Sequence, residues 1–402
     1  MKRLTFYLLL LLLLFSIVLG GISCGKGGKT TSSTPKPAVK PVASGGGNTT
    51  GKPLMLPPGF SISIFADGLQ TPRVLAWDGA GNLLVSDMGS GQVVALPDRD
   101  NNGAADEKVV VADGLNNPHG LAFLPADPTR LYIAETDQVA VYNYDQNTLK
   151  ATGKQKITDL PPDGEHITRT IMFMPPPNQD KLLISVGSSA NVVNESDWRR
   201  AKILVANSDG SGLRAFASGL RNSVFMAVHP ITKQVWAIEN GRDYLGDDLP
   251  PDEINIIEDG HDYGWPNFYG KNLHDTQFDS TTYPAGQDPA AGKTPSHIDL
   301  QAHSAPLGLA FIDSQSWPAE YKYNLLVSFH GSWNRTVPTG DKVVRIRLDR
   351  KGNYQGIEDF ITGWLQPDGS KLGRPVGILF KQDGSSYISD DQSGVIYRVT
   401  PP

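Results

Sequence analysis

Cysteine occurs once in the 402 residues, at Cys24. No disulfide can form within one chain, so packing alone must hold the fold. The same count excludes a haem attached through a CxxCH motif and any cysteine-ligated cluster. Basic charge is not in excess: 36 Lys and Arg against 42 Asp and Glu give a formal charge of −6. With no Lys/Arg stripe interleaved with aromatics, nucleic acid is not an expected partner. Long amphipathic segments of period 3.6 are missing, so helices are minor. The one extended apolar run, Leu4 to Leu19, is about 16 residues, short for a membrane span. Glycine (42) and proline (30) are abundant, as many short strands joined by turns require. With 39% hydrophobic residues the chain can bury a sizeable core.

The N-terminus reads as an export signal over 1–23, with Lys2 and Arg3 ahead of the apolar run. The run ends at Gly21-Ile22-Ser23-Cys24. A lone cysteine after small residues there resembles a bacterial lipobox, although Gly21 stands where Leu is usual. Two readings stay open: lipidation of Cys24, which gives a lipoprotein anchored to a membrane at the periplasmic or cell surface, or an ordinary cleaved signal with an incidental cysteine. Residues 24–53 are rich in Gly, Ser, Thr, Lys and Pro and read as a flexible tether.

Over 54–402 one pattern recurs: an apolar strand, a turn, then a second apolar strand ending in a small or acidic residue. Its first strands centre on Ala76, Ala122, Met172, Ala227, Ala310 and Leu379, with spacings of 46, 50, 55, 83 and 69. Units of about 40–50 residues with four short strands are propeller blades. The spacing predicts an all-β, six-bladed β-propeller, with insertions at the two long intervals. Phe60 to Phe65 alternates apolar and polar, and is expected to close the last blade beside Val395 to Val399. Two separate β-sandwiches are the alternative, but no linker divides the middle of the chain.

A propeller gathers the residues before each first strand at the mouth of its channel. In repeat order these are Arg73; Asn116, Asn117 and His119; His166 and Arg169; Arg221 and Asn222; His303; and Arg374. A base-capable histidine among arginines suits an anionic ligand and a proton abstraction. Hydrogen bonding within the loops is the plainer role for any one of them. A second cluster is acidic. Asp243, Asp247, Asp248, Asp252 and Glu253 put five carboxylates within eleven residues, which suits Ca²⁺ or a solvated loop. A third stretch, Asp98 to Asp106, copies half of a calcium loop but has Val109 where the closing Glu belongs. It reads equally as a weak calcium loop or an Asx-rich hairpin.

Arg221-Asn222, Gly241 through Asn255, Asp262 through Asn267, His330 through Arg335 and Arg374 through Gly377 together resemble the glucose/sorbosone dehydrogenase family, over about 57–400 and closest to its sorbosone-dehydrogenase-like branch. The resemblance implies a propeller that oxidises a sugar with pyrroloquinoline quinone (PQQ) and Ca²⁺. It implies His166 as catalytic base and Arg221-Asn222 as the quinone-contacting pair, with Arg221 stabilising charge on the quinone oxygen. Arg374 matches one of two quinone-binding arginines; the other falls on Leu372. Asp391, or Asp390, matches a cofactor-side aspartate. The family's cofactor lysine has no equivalent, leaving His330 or Arg335 in its place, and its glutamine is replaced by Asn116, Asn117 or His119. Asp252, Glu253 and Tyr263 match calcium positions, with Asp247 and Asp248 beside them in the Gly246–Pro250 turn whose carbonyls face a second calcium. The implied reaction is hydride transfer from the anomeric carbon of an aldose or sorbosone-like sugar. Electrons then pass to a separate acceptor, since no haem domain is present. The rival readings are a calcium-dependent lactonase on the same architecture and a non-catalytic, tethered propeller that binds a glycan or protein.

Overall fold

The computed structural model describes residues 47–402. The expected signal, Cys24 and most of the tether lie outside the described residues. The propeller domain reaches further toward the N-terminus than residue 54. Gly47–Asn48 pairs in parallel with Ser61 and Ile62. Asn48 Nδ2 donates to the carbonyls of Lys52 and Leu54, and Lys52 Nζ donates to Leu372 O. These contacts bring 47–53 into the domain, correcting the expected tether boundary.

Six antiparallel sheets follow in order. Blade 1 spans Pro72–Trp77, Leu83–Asp87, Gln92–Leu96 and Val109–Ala112. Blade 2 runs from Leu121–Leu124 to Lys150–Asp159, blade 3 from Ile171–Phe173 to Arg214–Ser218, and blade 4 from Met226–Val228 to Ile298–Leu300. Blade 5 runs from Pro306–Phe311 to Tyr354–Ile361, and blade 6 from Pro375–Phe380 to Val395–Thr400. Ser61–Ala66 pairs antiparallel with Val395–Thr400, so the N-terminal strand closes the last blade as expected. No α-helix occurs among the described residues; two short 3₁₀ turns are the only helical elements there.

First strands of neighbouring blades pack against one another at five of the six junctions, from blade 6 onto blade 1 included. They come closest where the repeat carries glycine. A Cβ on Gly120 would stand 2.6 Å from Arg169 O in the next blade. Cβ atoms on Gly308 and Gly377 would strike the backbones at Val376 and Arg73. The recurring Gly is therefore a packing requirement of the ring. Second strands such as Leu83–Asp87 and Val235–Glu239 are buried along their whole length, because blades cover both faces. Continuous apolar runs in these strands follow from that burial.

The small and acidic residues that end each second strand also have structural work. Asp87 accepts from the backbone N–H of Gln70 and Thr71, Glu135 from Asn116, Glu239 from Asn222, and Asp390 from Arg374. Each carboxylate holds the turn that enters its blade. Ser389 Oγ donates to Arg73 O across the blade 6–blade 1 seam, 2.7 Å away. Ser185 and Ser328 do the same to Ser223 O and Val376 O.

The longest insertion, 258–297, lies between the third and fourth strands of blade 4 and carries a small hairpin, Phe268–Tyr269 with Leu273–His274. It packs back on blade 3, where Asp262 bridges Ser218. In the Asp98 stretch, Asp98 accepts from the N–H of Asn102 and Gly103, Asp100 from Asn102, and Asp106 from Arg99. These bonds make it an Asx-rich hairpin.

Candidate active site

His166 enters the mouth from the loop before blade 3. Its Nδ1 lies 2.9 Å from Ser188 O. A carbonyl only accepts, so Nδ1 carries the proton and Nε2 holds a free lone pair. Burial, then the nearby charges of Arg221, Arg169 and Arg200, lower its pKa to about 3. The imidazole is therefore neutral at any working pH. Gly187, directly after the second strand, makes this position possible. A Cβ there would stand 2.6 Å from Asn222 Oδ1 and 2.7 Å from His166 Cβ. His166 and Asn222 thus meet over one glycine.

Arg221 is buried and fixed from several sides. Nε donates to Asn191 O at 2.8 Å, and the terminal nitrogens reach Asn240 O (3.2 Å), Asn191 Oδ1 (3.0 Å) and Asp243 Oδ2 (3.2 Å). Asp243 in turn accepts from Asn334 Nδ2 at 2.6 Å. Across the mouth, Arg73 and His330 both hold Asp391. Arg73 lies 2.5 Å away, and His330 Nε2 is 2.9 Å from each carboxylate oxygen. Burial opposes ionisation of Asp391, but His330 and Arg73 outweigh it and bring its pKa to about 2. Arg374 is anchored by the carbonyls of His330 (2.8 Å) and Gly331 (3.0 Å). Asp390, next to Asp391 in the chain, accepts from Arg374 N, Ser393 and Tyr397, which leaves Asp391 as the one of the pair at the site.

Other expected residues are placed differently. His119 is fully buried: Nδ1 is 3.2 Å from Thr170 Oγ1, and Nε2 meets no partner. With no exposed surface it cannot contact a ligand, which corrects its expected cofactor role. Arg169 likewise turns inward, tying down the carbonyls of Pro161, His166 and Thr168. Asn116 stays exposed at the rim, 3.1 Å from Asp137. Arg335 faces the 246–249 turn, donating to Asp247 O and Ala302 O, with Asp248 3.5 Å away.

The five expected metal ligands do not converge. Asp248 is exposed, and Asp247 accepts from Thr336 N. Asp252 accepts from the N–H of Gly241 and Ala305, Glu253 from Gly270, and Tyr263 donates to Ile256 O. Asp252 and Glu253 are adjacent in one strand and so point to opposite faces; burial raises the pKa of each to about 7. No set of three or more His, Cys, Asp or Glu converges for a metal among the described residues. Backbone oxygens do converge. Gly246 O and Leu249 O both lie on His303 Nε2, at 2.9 and 3.0 Å. Both accept from that N–H, and each keeps a second lone pair that could serve a hard cation.

Sequence reasoning passed over Ser188, Asn191 and Lys371. Lys371 Nζ lies 2.9 Å from Ser332 O and 3.2 Å from Asp341, one residue from the Leu372 departure. The Gly187 that follows a second strand was the available signal for the first two. The 258–297 insertion walls the small cavity behind Arg221 and Gly241 through Tyr263, Trp265 and Phe268.

A closed six-bladed propeller with a neutral histidine and three arginines at its mouth defines the class: a propeller of the PQQ-dependent, glucose-dehydrogenase-like kind. The chain belongs to the TrAA12-like family, whose profile matches residues 54–402. It is 33% identical over 359 residues to an uncharacterized protein of Borreliella burgdorferi, covering 86% of this chain and 90% of that one. It is 27% identical over 450 residues to the pyrroloquinoline quinone-dependent sugar dehydrogenase of Hypocrea jecorina, covering 96% and 95%. The fold matches the PQQ domain of Coprinopsis cinerea pyranose dehydrogenase with a TM-score of 0.73 at 24% identity, over 89% of this chain and all of that one.

Proposed function

We propose that this protein is a PQQ- and Ca²⁺-dependent oxidoreductase that oxidises the anomeric carbon of a sugar. The observation that carries the reading is His166, held neutral with Nδ1 donating to Ser188 O at 2.9 Å, Nε2 free, and the fixed guanidinium of Arg221 nearby.

The donor set suits the cofactor. An anion with several carboxylates meets Arg73, Arg221 and Arg374, and Arg73 Nε is buried without a partner. Asn222 and His330 complete the wall. The carbonyls of Gly246 and Leu249 are the donors for Ca²⁺. When bound, PQQ supplies a two-electron acceptor and the ion adds positive charge beside it. The chain's own residues do the rest. His166 Nε2 accepts the proton of the anomeric hydroxyl, and Ser188 O keeps the ring in the productive tautomer. Arg221 holds a fixed positive charge where negative charge develops, and Asp243 keeps it in place. Two electrons leave for a separate acceptor.

The reading is supported by the named activity of the Hypocrea relative. The test is titration of the purified domain with PQQ and Ca²⁺, followed by addition of aldoses. Saturable binding with sugar-induced loss of the oxidised quinone absorbance supports the reading; no binding at micromolar cofactor refutes it. For the N-terminus we propose export and lipidation at Cys24, with the segment before Gly47 as tether. Cys24→Ser should release the protein from the membrane fraction, and retention there would count against lipidation.

A further inference from the structure

Two loops at the mouth leave large apolar side chains uncovered. Tyr244 is 70% exposed and Trp333 67%, and they meet edge to face with ring centroids 5.9 Å apart. Leu249 and Val337, also exposed, lie in the same two loops. The pair is tied to the site from both sides. Tyr244 follows Asp243, the partner of Arg221; Trp333 precedes Asn334, which donates to the same Asp243. His330, three residues before Trp333, holds Asp391.

Tyr244 sits at φ 69°, in the left-handed region that bulky residues avoid. The chain keeps it there because Asp243 is pinned at its N–H by Asn191 Oδ1 (2.7 Å) and at its carboxylate by Arg221 and Asn334. Strain kept at a site edge to present an exposed aromatic ring points to a ligand. Rigid aromatic rings with polar groups around them match a pyranose, whose C–H face is apolar and whose rim carries hydroxyls. The exposed Asp248 supplies an acceptor in the loop that carries Tyr244.

We propose that Tyr244 and Trp333 form a stacking subsite for a second sugar ring, so that the preferred substrate is the reducing end of an oligosaccharide. This rests on the dehydrogenase reading for what happens at the first ring, but the subsite itself is a property of the protein without cofactor. Trp333→Ala and Tyr244→Ala are compared with Trp198→Ala. Trp198 is also exposed (52%), but it lies against Thr158 and Leu213 at the outer edge of blades 2 and 3. Cofactor-free protein is titrated with malto- and cello-oligosaccharides of one to five units, by tryptophan fluorescence and calorimetry. Expected is tighter binding of two or more units than of one. Roughly tenfold or greater loss is expected in each mouth variant, as for an aromatic anchor that a ligand covers on binding, with Trp198→Ala unchanged. Equal affinity for one and several units, or mouth variants within twofold of the parent, would overturn the subsite. The PQQ titration is run in parallel, so failure of the dehydrogenase reading is seen separately as absent cofactor binding.

Discussion

Replacing His166 by alanine removes the neutral imidazole that presents an unengaged Nε2 at the mouth. Its neighbours cannot substitute: Arg221 and Arg374 are cations, and Asp391 is locked between Arg73 and His330. General-base assistance is worth about 10²- to 10⁴-fold, so kcat with an aldose should fall by at least two orders of magnitude. Cofactor affinity should change little, because His166 contributes no charge. The pH profile adds an independent signature. With its pKa near 3, His166 remains a competent base well below pH 6.5, so activity should show no acid limb near the ordinary histidine pKa. The fold also carries a linkage. An unfolded chain protonates this imidazole below about 6.5 and the folded chain only near 3, so its contribution to stability falls as pH drops through that window. His166→Ala should therefore lose activity and flatten the acid side of the stability curve together. The assay is anaerobic single turnover of PQQ-loaded protein, with thermal melts from pH 4 to 8. Turnover above a tenth of the parent, with cofactor bound, would remove His166 from the mechanism.

Glu239 behaves in the opposite sense: burial raises its pKa to about 8, so its contribution falls as pH rises from 4.5 toward 8. Melts of Glu239→Gln should show a shallower loss of stability on the alkaline side, and an unchanged slope would contradict the assignment. Gly377→Ala places a methyl against the Arg73 backbone and should cost about 1–3 kcal/mol by overpacking; chemical denaturation reads it directly. Asp391→Asn leaves Arg73 without its anion, and loss of one partner of a buried pair costs about 3–5 kcal/mol. A lower melting temperature and weaker PQQ binding should appear together, and loss of neither would place the pair outside the site.

The ring was legible because its physics repeats along the chain. Glycine at 120, 308 and 377 marks where first strands touch, and an acid at 87, 135, 239 and 390 marks the entry to four of the six blades. His166, Arg221 and Asn222 were legible for the same reason, since they stand at equivalent positions before a strand. His119 shares that position yet is buried, because the repeat fixes only where a residue enters and not the depth of its side chain. The acidic run misled in another way. Its density suited Ca²⁺ or a solvated loop, and strand alternation sends Asp252 and Glu253 to opposite sides, where backbone amides take them. Tyr244 and Trp333 stand inside two of the stretches that carry the resemblance, but their pairing was not legible, because an exposed aromatic contact joins two loops nearly ninety residues apart.

The blade that closes the ring is made from both ends of the fold: Ser61–Ala66 must wait for Val395–Thr400. A chain emerging from the N-terminus makes its first propeller strand long before that strand has a partner. Five blades can form in sequence, but the sixth cannot, and until then two sheet edges stay open. Assembly is thus gated by completion of the polypeptide. A chain that stops short of residue 395 leaves one edge of Ser61–Ala66 unpaired and Ile62 and Phe65 uncovered, a ready mark for proteolysis before any site is formed.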